Sequence, residues 1–397
     1  MNSPLLQYLD NPTGTSVPSP CFVLEEAKLR RNLQLIDSVQ QSAGITIILA
    51  LKGFSMYSAF PLVREYLSGA TASSLNEIRL VNDYMHVPAH TYIPAYRDDE
   101  FDEVLTRSSH LTFNSWSQWD RFNERVAAYN SQQQADGKPT VSCGIRVNPQ
   151  YSEVATEMYN PCVPGSRLGA TRNQLPDQLP DGLEGIHFHT LCENDSFTLE
   201  RTLTALEERF DKLLHQAKWV NFGGGHLMTR EGYDTEHLIG LLKAFRAKYN
   251  VDIILEPGSA IAWQTGVLVS SVLDVVDSQG IDVAILDTSF AAHMPDTLEM
   301  PYKPRILNAY HEPVAGKPTY RLGGMTCLAG DFMGDYSFDA PLAIGDKLVF
   351  DDMIHYTMVK TTTFNGVNLP SIGVWKEDNT FSLVRSYGYE SFKDRLS

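Results

Sequence analysis

The chain of 397 residues carries 32 Lys and Arg against 48 Asp and Glu, a formal charge of −16. That balance disfavours nucleic acid as a partner, because phosphate backbones demand cations, and it is compatible with a cationic ligand. A hydrophobic content of 43% and a charged content of 20% describe an ordinary globular protein, with no apolar run long enough to span a membrane. The length suits one large domain plus a smaller one. The start, Met1-Asn2-Ser3-Pro4, lacks the basic and apolar segments of a secretory signal. The five cysteines, Cys21, Cys143, Cys162, Cys192 and Cys327, are odd in number and form no CxxC pair. This argues for a reducing cytoplasm and against a disulfide frame or a zinc site.

Residues 1–20 are rich in Pro, Ser, Asn and Thr and read as an irregular arm. Cys21-Phe22-Val23-Leu24 reads as a short strand, and 25–40 has helical spacing with Leu29, Leu33 and Ile36 on one face. Residues 45–51 then run almost unbroken in Ile, Leu and Thr and end in Lys52-Gly53. Such a run predicts a strand covered on both faces.

From there strands and helices alternate. Helical spacing over 57–67 leads to Gly69-Ala70-Thr71-Ala72-Ser73, and 75–85 leads to Thr91-Tyr92-Ile93-Pro94. Residues 98–106 lead to His110-Leu111-Thr112-Phe113-Asn114, and 115–129 lead past a polar loop to a strand over 141–148. A long excursion with a weak helix near 172–179 leads to Gly185-Ile186-His187-Phe188-His189. Residues 196–216 lead to Trp219-Val220-Asn221-Phe222-Gly223, and 234–249 lead to a strand over 251–256. Eight strands alternating with helices predict a parallel sheet, and eight units fit an α/β fold of the closed (β/α)8 TIM-barrel type rather than a doubly wound open sheet. From Gln264 onward the texture changes to short strands at 267–276, 283–286, 319–322, 347–350, 356–360 and 381–384, with few long helices. This predicts a barrel over 25–261 and a mostly β domain from 262–397, joined by residues 1–24.

In closed parallel barrels the reacting groups sit at the C-terminal strand ends. Here those ends offer Lys52, Ser73 and Ser74, Arg146 and Asn148, His189, Gly223-Gly224-Gly225 and Glu256. A lysine at a strand end ordinarily snorkels into solvent. Held neutral in an apolar pocket, it can instead form an imine with a carbonyl cofactor. Three glycines after a strand ordinarily make a turn, but they also let backbone N–H groups approach a phosphate. Glu256 caps a turn or faces a ring nitrogen and keeps it protonated. Alternation puts His187 and His189 on one strand face, where a ring can stack on a planar cofactor. Together these parts describe pyridoxal phosphate binding. No Walker loop or dinucleotide fingerprint is present.

The chain resembles the barrel-fold (fold type III) pyridoxal phosphate-dependent decarboxylases, the ornithine and diaminopimelate decarboxylase group, related in fold to alanine racemase. Within that group, five segments are most similar to the carboxynorspermidine/carboxyspermidine decarboxylases. They begin at Ala50, Thr71, His187, His293 and Cys327 and end at Met56, Glu77, Glu193, Tyr302 and Asp331. The resemblance implies a Schiff base on Lys52, ring stacking by His189, phosphate contacts from Gly224, Gly225 and Tyr356, cofactor binding by Ser73 and Arg146, and a carboxylate at the pyridine nitrogen from Glu256. It implies Cys327 as the proton donor after CO2 leaves, Arg167 in a basic segment behind the site, and Asp296 and Asp331 toward the substrate. It also implies a homodimer whose β-rich domain contributes to the interface and to shared active sites.

One departure bears on the substrate. Ser259 follows Glu256-Pro257-Gly258, where polyamine-type relatives commonly carry an acidic residue and ornithine-type relatives an arginine. Leu328 lacks the acidic side chain that several amino-acid decarboxylases place after the cysteine. The expected substrate is a carboxylated polyamine. The alternative is an N-acylated diamino acid such as N-citryl-ornithine of siderophore synthesis. An amino-acid racemase on the same barrel needs a base on the second face instead of a thiol acid. A non-catalytic relative would often lack the lysine or the cysteine, and both are present.

Overall fold

The computed structural model describes residues 4–10, 12 and 14–397. The chain divides into two compact units, 32–261 and 1–31 with 262–397. The first is a ring of parallel strands. Neighbours run in chain order from Leu49–Ala50 through Ala70–Ala72, Ala89–Tyr92, Ser108–Phe113, Ser142–Arg146, Leu183–His187 and Trp219–Asn221 to Asp252–Leu255, and the ring ends on Thr46–Ile47. Residues 46–50 thus serve as one barrel strand split at Ile48. Thr46 and Ile47 pair with Ile254 and Leu255 of the eighth strand, and Leu49 and Ala50 pair with Ala70 and Thr71 of the second. The Ile48 N–H donates to the Leu255 carbonyl at 3.0 Å, and the Leu49 N–H donates to the Gly69 carbonyl at 3.1 Å. One short apolar segment therefore closes the ring, and Ile47, Ile48, Leu49 and Leu51 are fully buried. The expected TIM-barrel class is met.

The loops at the strand ends turn into helices through polar caps. Ser74, Ser115, Asp195 and Asp234 each accept a backbone N–H three residues on, from Glu77, Gln118, Thr198 and His237. Glu77 Oε2 also accepts the Ser73 N–H, one residue before the cap, at 2.6 Å. Two expected elements come out differently. The excursion holds only the 3-10 turn Arg172–Gln174, closed by a Thr171 capping box, in place of a helix over 172–179. Helix 57–67 is broken into Tyr57–Ala59 and Phe60–Val63.

Inside the barrel, alternation brings Ser142, Gly144 and Arg146 onto one face with Gly185, His187, Trp219 and Asn221. The Trp219 indole lies across two glycines. A Cβ on Gly185 would sit 2.0 Å from it, and one on Gly144 would sit 2.3 Å from it. Its Nε1 donates to Ser142 Oγ at 2.8 Å. His110 meets it edge-on, and His90 stacks on His110 at 4.0 Å.

The second unit is built on a mixed sheet. Its order is Phe332–Ser337, Thr319–Gly323, Ile281–Leu286, Gly266–Ser278, Cys21–Glu25, Ser371–Trp375 and Phe381–Arg385, with Lys347–Asp351 also on Gly266–Ser278. The early strand is antiparallel to Gly266–Ser278 and parallel to Ser371–Trp375. Two corrections fall here. Part of the expected arm is the helix Pro4–Asp10, whose Leu5, Tyr8 and Leu9 join Val23, Val267 and Trp375 in one core. Its i, i+3, i+4 spacing was hidden by the polar residues around it; residues 1–3, 11 and 13 of that arm lie outside the described residues. The segment expected as a strand at 356–360 is the helix Tyr356–Lys360. Its β-branched residues suggested a strand, but Thr361 Oγ1 donates to the Thr357 carbonyl four residues back, and Thr357 Oγ1 donates to Asp296. These bonds need a helical turn.

Gly185→Ala should destabilise the protein by roughly 1–3 kcal/mol, because the new methyl must displace a buried indole. A lowered urea midpoint at unchanged slope checks this. Burial pushes His90 down to about 3, and His226 and His293 to about 4. An unfolded chain protonates its histidines near about 6.5, so it binds more protons than the fold below that pH. Stability should be whole above about pH 6.5 and fall as the pH drops from there toward 4. Urea midpoints measured from pH 7.5 to 4.5 would show a flat plateau and then a decline.

Candidate active site

Lys52 lies two residues past the first strand, in a tight turn where the Gly53 and Phe54 N–H groups donate to the Ala50 carbonyl. A Cβ on Gly53 would come within 2.6 Å of the Gly258 Cα, so only glycine lets this turn press against the loop after the eighth strand. That approach puts Lys52 near Glu256. The Lys52 side chain is exposed at the surface, yet desolvation by the protein packed around it is the first cause lowering its pKa. Arg146 lowers it further, and Cys192, Glu256 and Glu77 pull the other way. The amine is therefore neutral, and nucleophilic, at a lower pH than an ordinary lysine.

Glu256 is buried. Its Oε1 accepts the Asn221 Nδ2–H at 2.7 Å, and its Oε2 lies 3.6 Å from His187 Nε2. Burial pushes the carboxyl up, but His187, Asn221 and His90 outweigh it and hold its pKa below the ordinary value. His187 is itself kept neutral chiefly by burial and stacks on Tyr92 at 5.3 Å. The site thus contains a carboxylate anion among neutral rings. Arg146 lies over the Tyr92 ring at 4.7 Å and donates to the His189 carbonyl at 3.1 Å. It holds His189 by its backbone.

His189 lies in the turn beyond the sixth strand, which ends at His187. Its Nδ1 accepts the Gly224 N–H at 2.7 Å, so the proton of the neutral ring is on Nε2. Burial, followed by Lys52 and Arg146, lowers its pKa well below the usual histidine value. The glycine turn is packed against protein on all three residues. Added Cβ atoms would meet His189 at 2.6 Å from Gly223, the Glu256 carbonyl at 2.5 Å from Gly224 and the Leu191 carbonyl at 2.2 Å from Gly225. This narrows the phosphate expectation. The Gly223 and Gly224 N–H groups donate to Asn221 Oδ1 and His189 Nδ1, which leaves the Gly225 N–H without a partner among the described residues.

Other expected residues lie nearby or elsewhere. Ser73 is exposed, with its N–H on Glu77, and Ser259 is buried at the start of the helix Ser259–Ala262, its N–H beside Gly53. Asn148 faces its own loop, donating to the Pro161 carbonyl. Arg167 is exposed and lines a cavity of about 580 Å3 with Asn114, Trp116 and Ser166. In the second unit, Cys327 is exposed, its N–H on Asn365 Oδ1. Tyr356 opens its short helix. Asp296 Oδ2 accepts Tyr302 and Thr357 hydroxyls at 2.8 Å, while its buried Oδ1 has no partner among the described residues. Asp331, expected toward the substrate, accepts from the Phe290, Ala291 and Thr326 N–H groups and the Thr326 hydroxyl. It caps the helix Phe290–His293, because those N–H groups have no carbonyl to bond.

Sequence reasoning passed over Asn221, Tyr92, Glu77 and Cys192. Asn221 was findable, since alternation sets it on the face of Trp219, two residues before the glycine turn. Cys192 had only its place three residues after His189. Its thiol shares an electrostatic neighbourhood with Lys52.

The residues fit pyridoxal phosphate: a lysine of lowered pKa, a neutral ring beside it, a buried anion and a glycine turn that any Cβ would fill. The family model for pyridoxal-dependent decarboxylase, C-terminal sheet domain, matches residues 21–354. The chain is 48% identical over 397 residues to the carboxyaminopropylagmatine decarboxylase of Synechocystis sp., with 100% of both chains covered. It is 44% identical over 389 residues to the carboxynorspermidine/carboxyspermidine decarboxylase of Campylobacter jejuni, covering 96% of this chain and 98% of that one. The crystal structure of carboxynorspermidine decarboxylase from Campylobacter jejuni, complexed with norspermidine, matches with a TM-score of 0.85 at 42% identity, over 96% of this chain and 100% of that one. With a buried anion, a lysine and a glycine turn at the mouth of its barrel, the chain belongs to the pyridoxal-dependent decarboxylases.

Proposed function

We propose that the protein binds pyridoxal 5'-phosphate through Lys52 and decarboxylates a carboxylated polyamine, carboxynorspermidine or carboxyspermidine, to the polyamine and CO2. The observation that carries this is the Glu256 anion, buried and hydrogen-bonded beside Lys52, in a chain whose relatives act by name on carboxylated polyamines. The cofactor supplies an electron sink for the charge left when CO2 departs. Glu256 holds a proton on the ring nitrogen. His189 covers a ring face, with its orientation set by Gly224 and Arg146. The Gly225 N–H would receive the phosphate, and Ser73 and Arg146 would help hold the cofactor. Lys52, with its lowered pKa, would hold the cofactor's aldehyde covalently between turnovers. Cys327, from a second copy of the chain, delivers the proton to the former α-carbon. In the β-rich unit, Asp296, whose buried Oδ1 has no partner among the described residues, is the candidate contact for the substrate's distal amine.

The working form is a cytoplasmic homodimer in which 1–24 and 262–397 contribute to the interface and to the shared sites. A second reading concerns the distal group alone. The full-length identity to the Synechocystis enzyme favours a guanidine-tipped substrate, carboxyaminopropylagmatine. The N-citryl-ornithine alternative gains no support from these relatives.

CO2 release from carboxynorspermidine, carboxyspermidine, carboxyaminopropylagmatine and N-citryl-ornithine tests the reading. Turnover of the first two should dominate. Preference for the third would move the distal end to a guanidine, and turnover of the fourth alone would overturn the polyamine class. Lys52→Ala should abolish the near-visible absorbance of the bound cofactor and the pyridoxyl mark left by borohydride, read by mass mapping. Cys327→Ala should keep the cofactor and slow product formation about 100-fold, and normal turnover would remove it as proton donor.

A further inference from the structure

We infer that Asn221 is a positioning residue that keeps Glu256 ionised and ties it to the glycine turn, so that the two ends of the cofactor site are set by one buried amide. This rests on the reading that pyridoxal phosphate occupies the barrel mouth. Three hydrogen bonds form the couple. The Gly223 N–H donates to Asn221 Oδ1 at 2.8 Å, Asn221 Nδ2 donates to Glu256 Oε1 at 2.7 Å, and the Glu256 N–H donates to the Gly223 carbonyl at 2.7 Å. Asn221 is only 3% exposed, so water cannot substitute for either partner.

The chemistry of the amide decides the charge of its neighbour. A backbone N–H can only donate, so the atom facing Gly223 must be the oxygen of Asn221. The atom facing Glu256 is then the amide nitrogen, which can only donate. Glu256 Oε1 must accept, and a deprotonated carboxylate is the form that accepts best. With Oε1 occupied and Oε2 3.6 Å from His187, a ring nitrogen that carries a proton finds its acceptor at Oε2. The groups facing Glu256 from the other elements are Lys52, His90, Tyr92, His110 and His187. His187 and Asn221 both hold the carboxyl down, and Asn221, at 2.7 Å against 3.6 Å for His187, is the nearer donor.

The same amide shapes the turn. Gly223 has φ +68°, and the Asn221 oxygen caps its N–H two residues on, an Asx-type turn. The next N–H, from Gly224, then points at His189 Nδ1. One side chain therefore sets the anion, the turn and, through the turn, the stacking ring.

Asn221→Asp tests this. It keeps the acceptor for Gly223 and replaces the donor by a second carboxylate at the same place, so the two acids must share a proton. With the variant loaded with pyridoxal phosphate, borohydride should still mark Lys52. Its kcat near neutral pH should fall roughly tenfold or more, with KM within about threefold, the pattern of a loss confined to the transition state. As pH rises and the shared proton leaves, kcat should recover, giving an ascending limb that the wild type lacks. Asn221→Ala loses both bonds and should bind cofactor more weakly, read by fluorescence titration, without that limb. If Asn221→Asp does not fold, Asn221→Ser replaces it: the shorter hydroxyl cannot bridge both partners, and cofactor affinity and kcat should both fall. A wild-type rate and pH profile in the folded variants, or equal pH-independent losses in Asp and Ala variants, would overturn the assignment. A wild-type protein that takes no mark at Lys52 would instead overturn the cofactor reading beneath it.

Discussion

Closure of the barrel at residues 46–50 is the constraint on which the site depends. A strand two residues long cannot bond a neighbour on both sides at every position, so the halves divide the task across Ile48. The pair of glycines that follows, Gly53 against Gly258, lets the loops after strands one and eight approach to contact distance. Lys52 and Glu256 sit on those two loops. Loosening the seam would separate an amine from the anion that shares its electrostatic environment.

The barrel interior departs from the usual apolar filling. Trp219, His110 and His90 form one chain of ring contacts, and Arg146, Tyr92 and His187 form another, with His187 beside Glu256. Burying an anion is costly unless its oxygens are satisfied. Here an amide satisfies one oxygen, and the nearby histidines are kept neutral by the same burial that would otherwise protonate the carboxyl. A neutral histidine does not compete with a ligand for the anion's charge. His187, 3.6 Å from the other oxygen, also helps hold the carboxyl below its ordinary pKa.

The glycine turn shows how one motif carries two explanations. Its residues are glycine because His189, Glu256 and Leu191 leave no room for a Cβ. Close packing of three strand ends would require this even in a protein with no phosphate to bind. The packing also engages two of the N–H groups and leaves the third without a partner among the described residues, so structure and ligand binding are not alternatives at this turn.

The alternation of strands and helices was legible because its periods are local: apolar runs of strand length, amphipathic spacing and Ser or Asp caps are set within a dozen residues. The polar strand ends at Lys52, His189, Gly223 to Gly225 and Glu256 were legible for the same reason, since fold topology places strand ends together. Three things were settled only by tertiary contacts. The helix Tyr356–Lys360 is held by hydroxyl bonds to Asp296 and within itself, which outweigh its β-branched composition. Asp331 Oδ1 accepts N–H groups that arrive from forty residues earlier. The role of Asn221 depends on a partner 35 residues ahead in the chain. By itself the sequence determined which residues could do chemistry, because residue type and strand position are local properties. The folded chain decided which of their atoms remain available, because hydrogen bonds between distant segments exist only once those segments meet.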